Sequence, residues 1–75
     1  MELEKIVIRT ENIQLDQFLK WIGVIESGAQ VKFMLEDQLI LVNGNIETAR
    51  RRRLFPGDKV EVKEVGSWEI ATQGE

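Results

Sequence analysis

Seventy-five residues carry 10 Lys and Arg against 13 Asp and Glu, a net charge of −3, with 43% hydrophobic and 31% charged side chains. That is material for one domain (1–75, with a core expected over about 5–71), and the composition is globular, not disordered. The absence of Cys, His and Tyr excludes disulfides, Cys/His metal centres and every nucleophile–His couple.

Lys5 to Thr10 reads as a short β-branched strand flanked by charge. From Gln14 the period changes: Leu15, Phe18, Leu19 and Ile22 form one stripe of an amphipathic helix. Asp16 suits the positive end of its dipole and Lys20 the negative end. Asn12 and Gln14 are alternative caps, and Gly23 is placed to stop the helix in the left-handed conformation. A second helix opens at Ser27, where Ser27 and Gln30 have capping-box spacing. Its apolar face is read as Ala29 and Phe33 with Val31, Met34 and Leu35, and its end as Asp37 or Gln38. The pair, joined by Val24 to Glu26, is helix–turn–helix-like.

The remainder reads as β. Leu39 to Val42 is an apolar run followed by the tight-turn signal Asn43-Gly44. Pro56-Gly57-Asp58 marks a second turn, with Phe55 as its hydrophobic plug. Lys59 to Val65 alternates, placing Val60, Val62 and Val65 toward a core. Gly66-Ser67 is expected to be a two-residue hairpin loop before Trp68, Glu69 and Ile70, and Thr72 to Glu75 should fray. The order predicts an α+β domain, two short helices packed on a small, mostly antiparallel sheet.

The outstanding feature is Arg50-Arg51-Arg52-Arg53. Residues 1–31 carry net −2, residues 32–59 net +2 and residues 60–75 net −3. An acidic start and tail therefore bracket a basic middle. Four adjacent guanidiniums repel one another unless an anion lies opposite, and their forks match phosphate oxygens. The bland alternative is a solvated loop whose members pair with local acids such as Glu47, and strand alternation would aim only some of them at a ligand. Lys20 and Lys32 could extend the patch, although solvation alone accounts for exposed helix lysines. Ser27 and Gln30 are explained by capping; a phosphate at that helix N-terminus is the functional alternative. Trp68 is assigned to packing, while Trp21 stays open between packing and base stacking. Glu36-Asp37 reads as solvated helix-end charge. No spacing suggests an acid–base couple, a metal cage or a cofactor site. No apolar run is long enough to span a bilayer, and Met-Glu-Leu-Glu-Lys is unlike a signal peptide, so a cytoplasmic protein without membrane partners is expected.

Leu15-Asp16-x-Phe18-Leu19-Lys20, Ile25-x-Ser27-Gly28-x-Gln30-Val31-Lys32, Leu41-Val42-Asn43-Gly44 and Pro56-Gly57-Asp58-Lys59-Val60-Glu61-Val62 resemble, in order and spacing, the S4 RNA-binding domain. The likeness covers residues 13–65 and is nearest to small free-standing bacterial S4-like proteins, whose late loop also carries Arg and Lys. It implies an S4-like (αL) fold and non-catalytic binding of structured RNA, ribosomal or transfer; a monomer is expected. Carried over by position, the RNA-binding candidates are Ser27, Gln30, Lys32, Asn43 and the loop Arg50 to Arg53. Three positions depart from the pattern: Gln14 and Gly28 stand where the family commonly has Arg, and Gln38 where it often has Gly. The first two shift the binding burden onto Arg50 to Arg53. The third costs about 1 kcal/mol if the backbone there is left-handed.

Two other readings compete. A protein-interaction module would dock the arginines on an acidic partner, in a ribosome-assembly or replication–repair complex. A β-grasp sulfur carrier shares Val-Asn-Gly and Gly-Asp-x-Val, but it opens with a hairpin and needs a terminal Gly-Gly where this chain has Gln73-Gly74-Glu75. On the RNA reading, the surrounding acidity favours selective, salt-sensitive and modest affinity.

Overall fold

The computed structural model describes residues 3–72. Strand β1 (Leu3–Ile8) leads through a two-residue strand β2 (Ile13–Gln14) into helix α1 (Leu15–Trp21) and then helix α2 (Gly28–Glu36). Strands β3 (Ile40–Val42), β4 (Asn45–Ile46), β5 (Arg53–Leu54), β6 (Lys59–Val62) and β7 (Gly66–Thr72) follow. Five strands form one sheet in the order β1-β7-β6-β3-β4, while β2 and β5 form a separate antiparallel pair. The large sheet is antiparallel except for β1, which lies parallel to β7 from Leu3↔Ser67 to Ile8↔Thr72. The α+β reading therefore holds.

Alternation along the strands divides the sheet into two faces. Ile8, Ile40, Val42, Val60, Val62 and Ile70 point inward and meet Leu15, Phe18, Leu19, Val31 and Leu35 of the helices. The opposite face carries Leu3, Ser67, Glu61, Leu41 and Ile46 in one cross-strand row and Lys5, Glu69 and Lys59 in the next. One face is thus dry, while the outer face combines an apolar row (Leu3, Leu41, Ile46) with charged residues. Trp68 is half-buried against the core, as expected from its strand register.

The two helices end in the same way. After α1, Gly23 takes φ +84° and donates to the Lys20 carbonyl (3.2 Å), and Val24 donates to Leu19 (2.9 Å). After α2, Gln38 takes φ +57° and donates to Leu35 (3.1 Å), and Leu39 donates to Met34 (3.0 Å). Both are Schellman closures, but the second forces a side-chain-bearing residue into the left-handed region. The Gly-to-Gln departure at position 38 therefore carries the expected cost of about 1 kcal/mol.

Several expectations are corrected. Strand β1 ends at Ile8, not Thr10: Ile8 pairs with Thr72, and Arg9 and Thr10 bend away from the strand. The buried face of α2 is Val31 and Leu35 with Met34 alongside, whereas Ala29 and Phe33 are exposed. Val65 is 59% exposed: the hairpin loop is Lys63 to Val65, closed by the Val65 N–H to the Val62 carbonyl (3.0 Å) with Glu64 at φ +68°. Gly66 and Ser67 are consequently the first residues of β7, and Gly66 faces the Trp68 ring. Phe55 is exposed and Leu54 fills the core in its place. Thr72 is paired to Ile8 and does not fray; residues 73–75 of the expected frayed tail lie outside the described residues.

Candidate nucleic-acid interface

The arginine run is built into the fold at the start of α1. Gln14, the N-cap of that helix, offers no side-chain cap. The free N–H groups of Leu15 and Asp16 instead donate to the backbone carbonyls of Arg52 (2.8 Å) and Arg50 (3.2 Å). Beside this contact, Gln14 and Arg53 pair as neighbours in the β2–β5 ladder. The loop thus satisfies orphan donors of the helix and is held by main chain on two sides.

Its side chains divide into two kinds. Arg50 Nε donates to Asp16 Oδ2 at 3.3 Å; the guanidinium side chain is 46% exposed and the carboxylate 9%. Arg52 Nη1 donates to Glu47 Oε1 at 2.8 Å, with exposures of 43% and 11%. Both acids receive backbone donors too: Asp16 from Gln17 (2.9 Å), Glu47 from Thr48 (3.0 Å) and Ala49 (2.9 Å). Burial alone would raise the Glu47 carboxyl, but the Ala49 N–H, the Arg52 guanidinium and the Thr48 N–H outweigh it and hold the group below its ordinary 4.5. Arg51 and Arg53 are exposed and have no acidic partner among the described residues.

Arg50 also joins the loop to both helices. Its Nε is engaged by Asp16 of α1, while a Cβ added at Gly28, the first residue of α2, would stand 3.3 Å from its Nη2. Glycine at position 28 therefore leaves room for a guanidinium to lie over the start of α2. The positive charge missing from position 28 is supplied in space by Arg50. One turn beyond Asp16 on α1 is Lys20, and one turn beyond Gly28 on α2 is Lys32. Both lysines are exposed and form no ion pair among the described residues.

The remaining candidates are placed as follows. The Gln30 side chain reaches back to accept the N–H groups of Ser27 (3.2 Å) and Glu26, so it fastens the start of α2 beside Arg50. Asn43 is at the opposite end of β3 from Glu47, with φ +52° in the β3–β4 turn. Its Oδ1 accepts the Lys59 N–H (2.9 Å) and its Nδ2 donates to Asp58 (3.1 Å), a latch between two turns. The fold accordingly brings Ser27, Gln30 and Arg50 to the start of α2, with Lys20 and Lys32 one turn further along their helices, and puts Asn43 at the other end of β3 from Glu47. Trp21 is exposed at the end of α1, beside a shallow pocket of about 220 Å³ shared with Val7, Arg9 and Ile13. Asp16, read from sequence only as a dipole charge, is the anchor of Arg50; 34 positions separate them, and no local spacing signals such a pair. No helix among the described residues is long and apolar enough to cross a membrane.

Two short helices laid on one face of a mostly antiparallel sheet, with a basic loop seated at their N-termini, define the class. The S4 domain model matches residues 6–71, and the chain belongs to the S4 domain family. It is 43% identical over 65 residues to the "Probable ribosome maturation protein RlbA" of Bacillus subtilis (strain 168), an alignment covering 87% of this chain and 92% of that protein.

Proposed function

We propose that this protein is a non-catalytic RNA-binding module that engages structured ribosomal RNA during ribosome maturation, in the cytoplasm and as a monomer. The observation that carries this reading is the split in the arginine run. Among the described residues Arg51 and Arg53 have no acidic partner, while Arg50 sits between two helices that each carry a lysine one turn on. Such an arrangement suits phosphate oxygens along a folded RNA backbone. Ser27 and Gln30 contribute by holding the start of α2 in place. Membership of the S4 family and likeness to a protein named for ribosome maturation support the same reading.

The test is a titration of a structured ribosomal RNA fragment at several salt concentrations between about 50 and 200 mM. Wild-type affinity should fall steeply with salt. Replacing Arg51 and Arg53 together by Ala should flatten the log K against log salt slope by roughly 1 to 2 units. Equal slopes for the two proteins would overturn the proposal.

A further inference from the structure

Trp21, 58% exposed at the end of α1, and Val7, 48% exposed on β1, share the wall of the shallow pocket of about 220 Å³ with Ile8, Arg9, Thr10 and Ile13. The wall is mostly apolar, and its one charged residue is a cation. Arg9 is exposed and forms no ion pair among the described residues. Glu11, two residues on, lines an adjoining depression with Arg9 and Thr72, but not the pocket that Trp21 lines.

The pocket borders the ribbon that carries Arg53. Ile13 of its wall pairs with Leu54, and the next residue, Gln14, pairs with Arg53, which has no acidic partner among the described residues. From Gln14, the cap of α1, the chain runs about 10 Å along the helix to Trp21. Trp21 lies about 140° round the helix from Asp16, the residue that takes Arg50. Arg50 therefore lies on one flank of α1, while the ribbon of Arg53 adjoins the pocket.

The two kinds of wall residue narrow the choice of occupant. A wholly apolar group seated here would cover Arg9 without supplying a counter-charge, which is unfavourable. An unpaired nucleotide suits both parts: its base stacks on the indole and its phosphate meets the guanidinium. A paired stem keeps its bases stacked and would bring phosphate alone.

We infer that the pocket of Trp21 and Arg9 receives an unpaired nucleotide of the bound RNA, the base on Trp21 and the phosphate on Arg9. The inference rests on the proposed RNA-binding function and names the kind of RNA, a folded stem on the arginine loop that continues into a single strand.

The experiment compares one RNA hairpin with and without a short single-stranded extension. Wild type should bind the extended hairpin about tenfold more tightly; Trp21→Ala should lose that preference and Trp21→Phe should keep most of it. Arg9→Gln should lower the salt slope by about 1 on the extended hairpin and leave it unchanged on the plain one. In the Trp68→Phe protein Trp21 is the remaining tryptophan, and its fluorescence should be quenched by the extended hairpin but not by the plain one. Equal binding of both hairpins by wild type, a preference that survives in Trp21→Ala, or unchanged Trp21 emission would overturn the inference while leaving RNA binding intact. Such results would assign the pocket to a protein partner. Failure of wild type to bind either hairpin or the ribosomal fragment would remove the RNA-binding reading itself, and this inference with it.

Discussion

Arg50 and Arg52 differ from Arg51 and Arg53 in nothing that composition can register, yet the fold gives the two pairs different work. The first pair reaches inward to carboxylates that are nearly buried; the second is exposed and has no acidic partner among the described residues. A cluster of four like charges is tolerated because half of it is neutralised within the chain, which fixes the loop geometry and leaves the other half poised. Even the paired members keep part of their donor set: Asp16 takes only Nε of Arg50, and Glu47 only Nη1 of Arg52. Anchoring and ligand contact are thus compatible functions of one guanidinium, whose five donors can serve two anions.

The largest effect on this division should come from Glu47→Ala. That change leaves the Thr48 and Ala49 N–H groups and Arg52 without their shared acceptor, and should lower unfolding free energy by about 2 kcal/mol in urea titrations. Next, Arg50→Ala/Arg52→Ala should cost about 1 kcal/mol, whereas Arg51→Ala/Arg53→Ala should stay within about 0.5 kcal/mol of wild type. Comparable losses for the two double variants would erase the distinction between anchors and free charges. The smallest effect is on pH dependence. The folded Glu47 carboxyl is held below 4.5, so the unfolded chain takes up this proton first. The resulting stabilisation is complete above that pH and disappears as pH falls through the folded value. Glu47→Gln should show a shallower loss of stability below about pH 4.5 than wild type, measured by urea midpoints.

Local chemistry was legible wherever it acts over a few residues. Gly23 at φ +84° and the Asn43-Gly44 turn, with φ +52° and +85°, are stated directly by residue type and order. Gln30 reaching back to Ser27 likewise follows from spacing alone. The stripe Leu15, Phe18 and Leu19 was identified because no other face of α1 offers comparable apolar area. On α2 the apolar residues fall on two faces, Ala29 with Phe33 and Val31 with Leu35, which the sequence reading took together as one. Periodicity cannot decide between them, because either is a sound i, i+4 pair. Phe55 was read as the plug of the Pro56-Gly57 turn, but the two-residue strand β5 just before it is too short for alternation to show that Leu54 fills the core instead. Val65 was misplaced because the chain turns at Lys63 to Val65, not at Gly66; Glu64 accepts a positive φ that Gly66 would have adopted more readily.

Residue order was sufficient for the α+β class, the capped start of α2, most of the turns and the basic middle of an acidic chain, since these depend on propensity, spacing and charge within short windows. The division of the arginines, the seat of Arg50 over Gly28 and the outward turn of Phe33 depend on which distant segments meet. Asp16 and Arg50 are 34 positions apart, and their pairing exists only because packing brings the loop to the start of α1. A side chain's partner is a property of three-dimensional neighbourhood, and for a charge that neighbourhood determines whether it holds the fold together or remains available to a ligand.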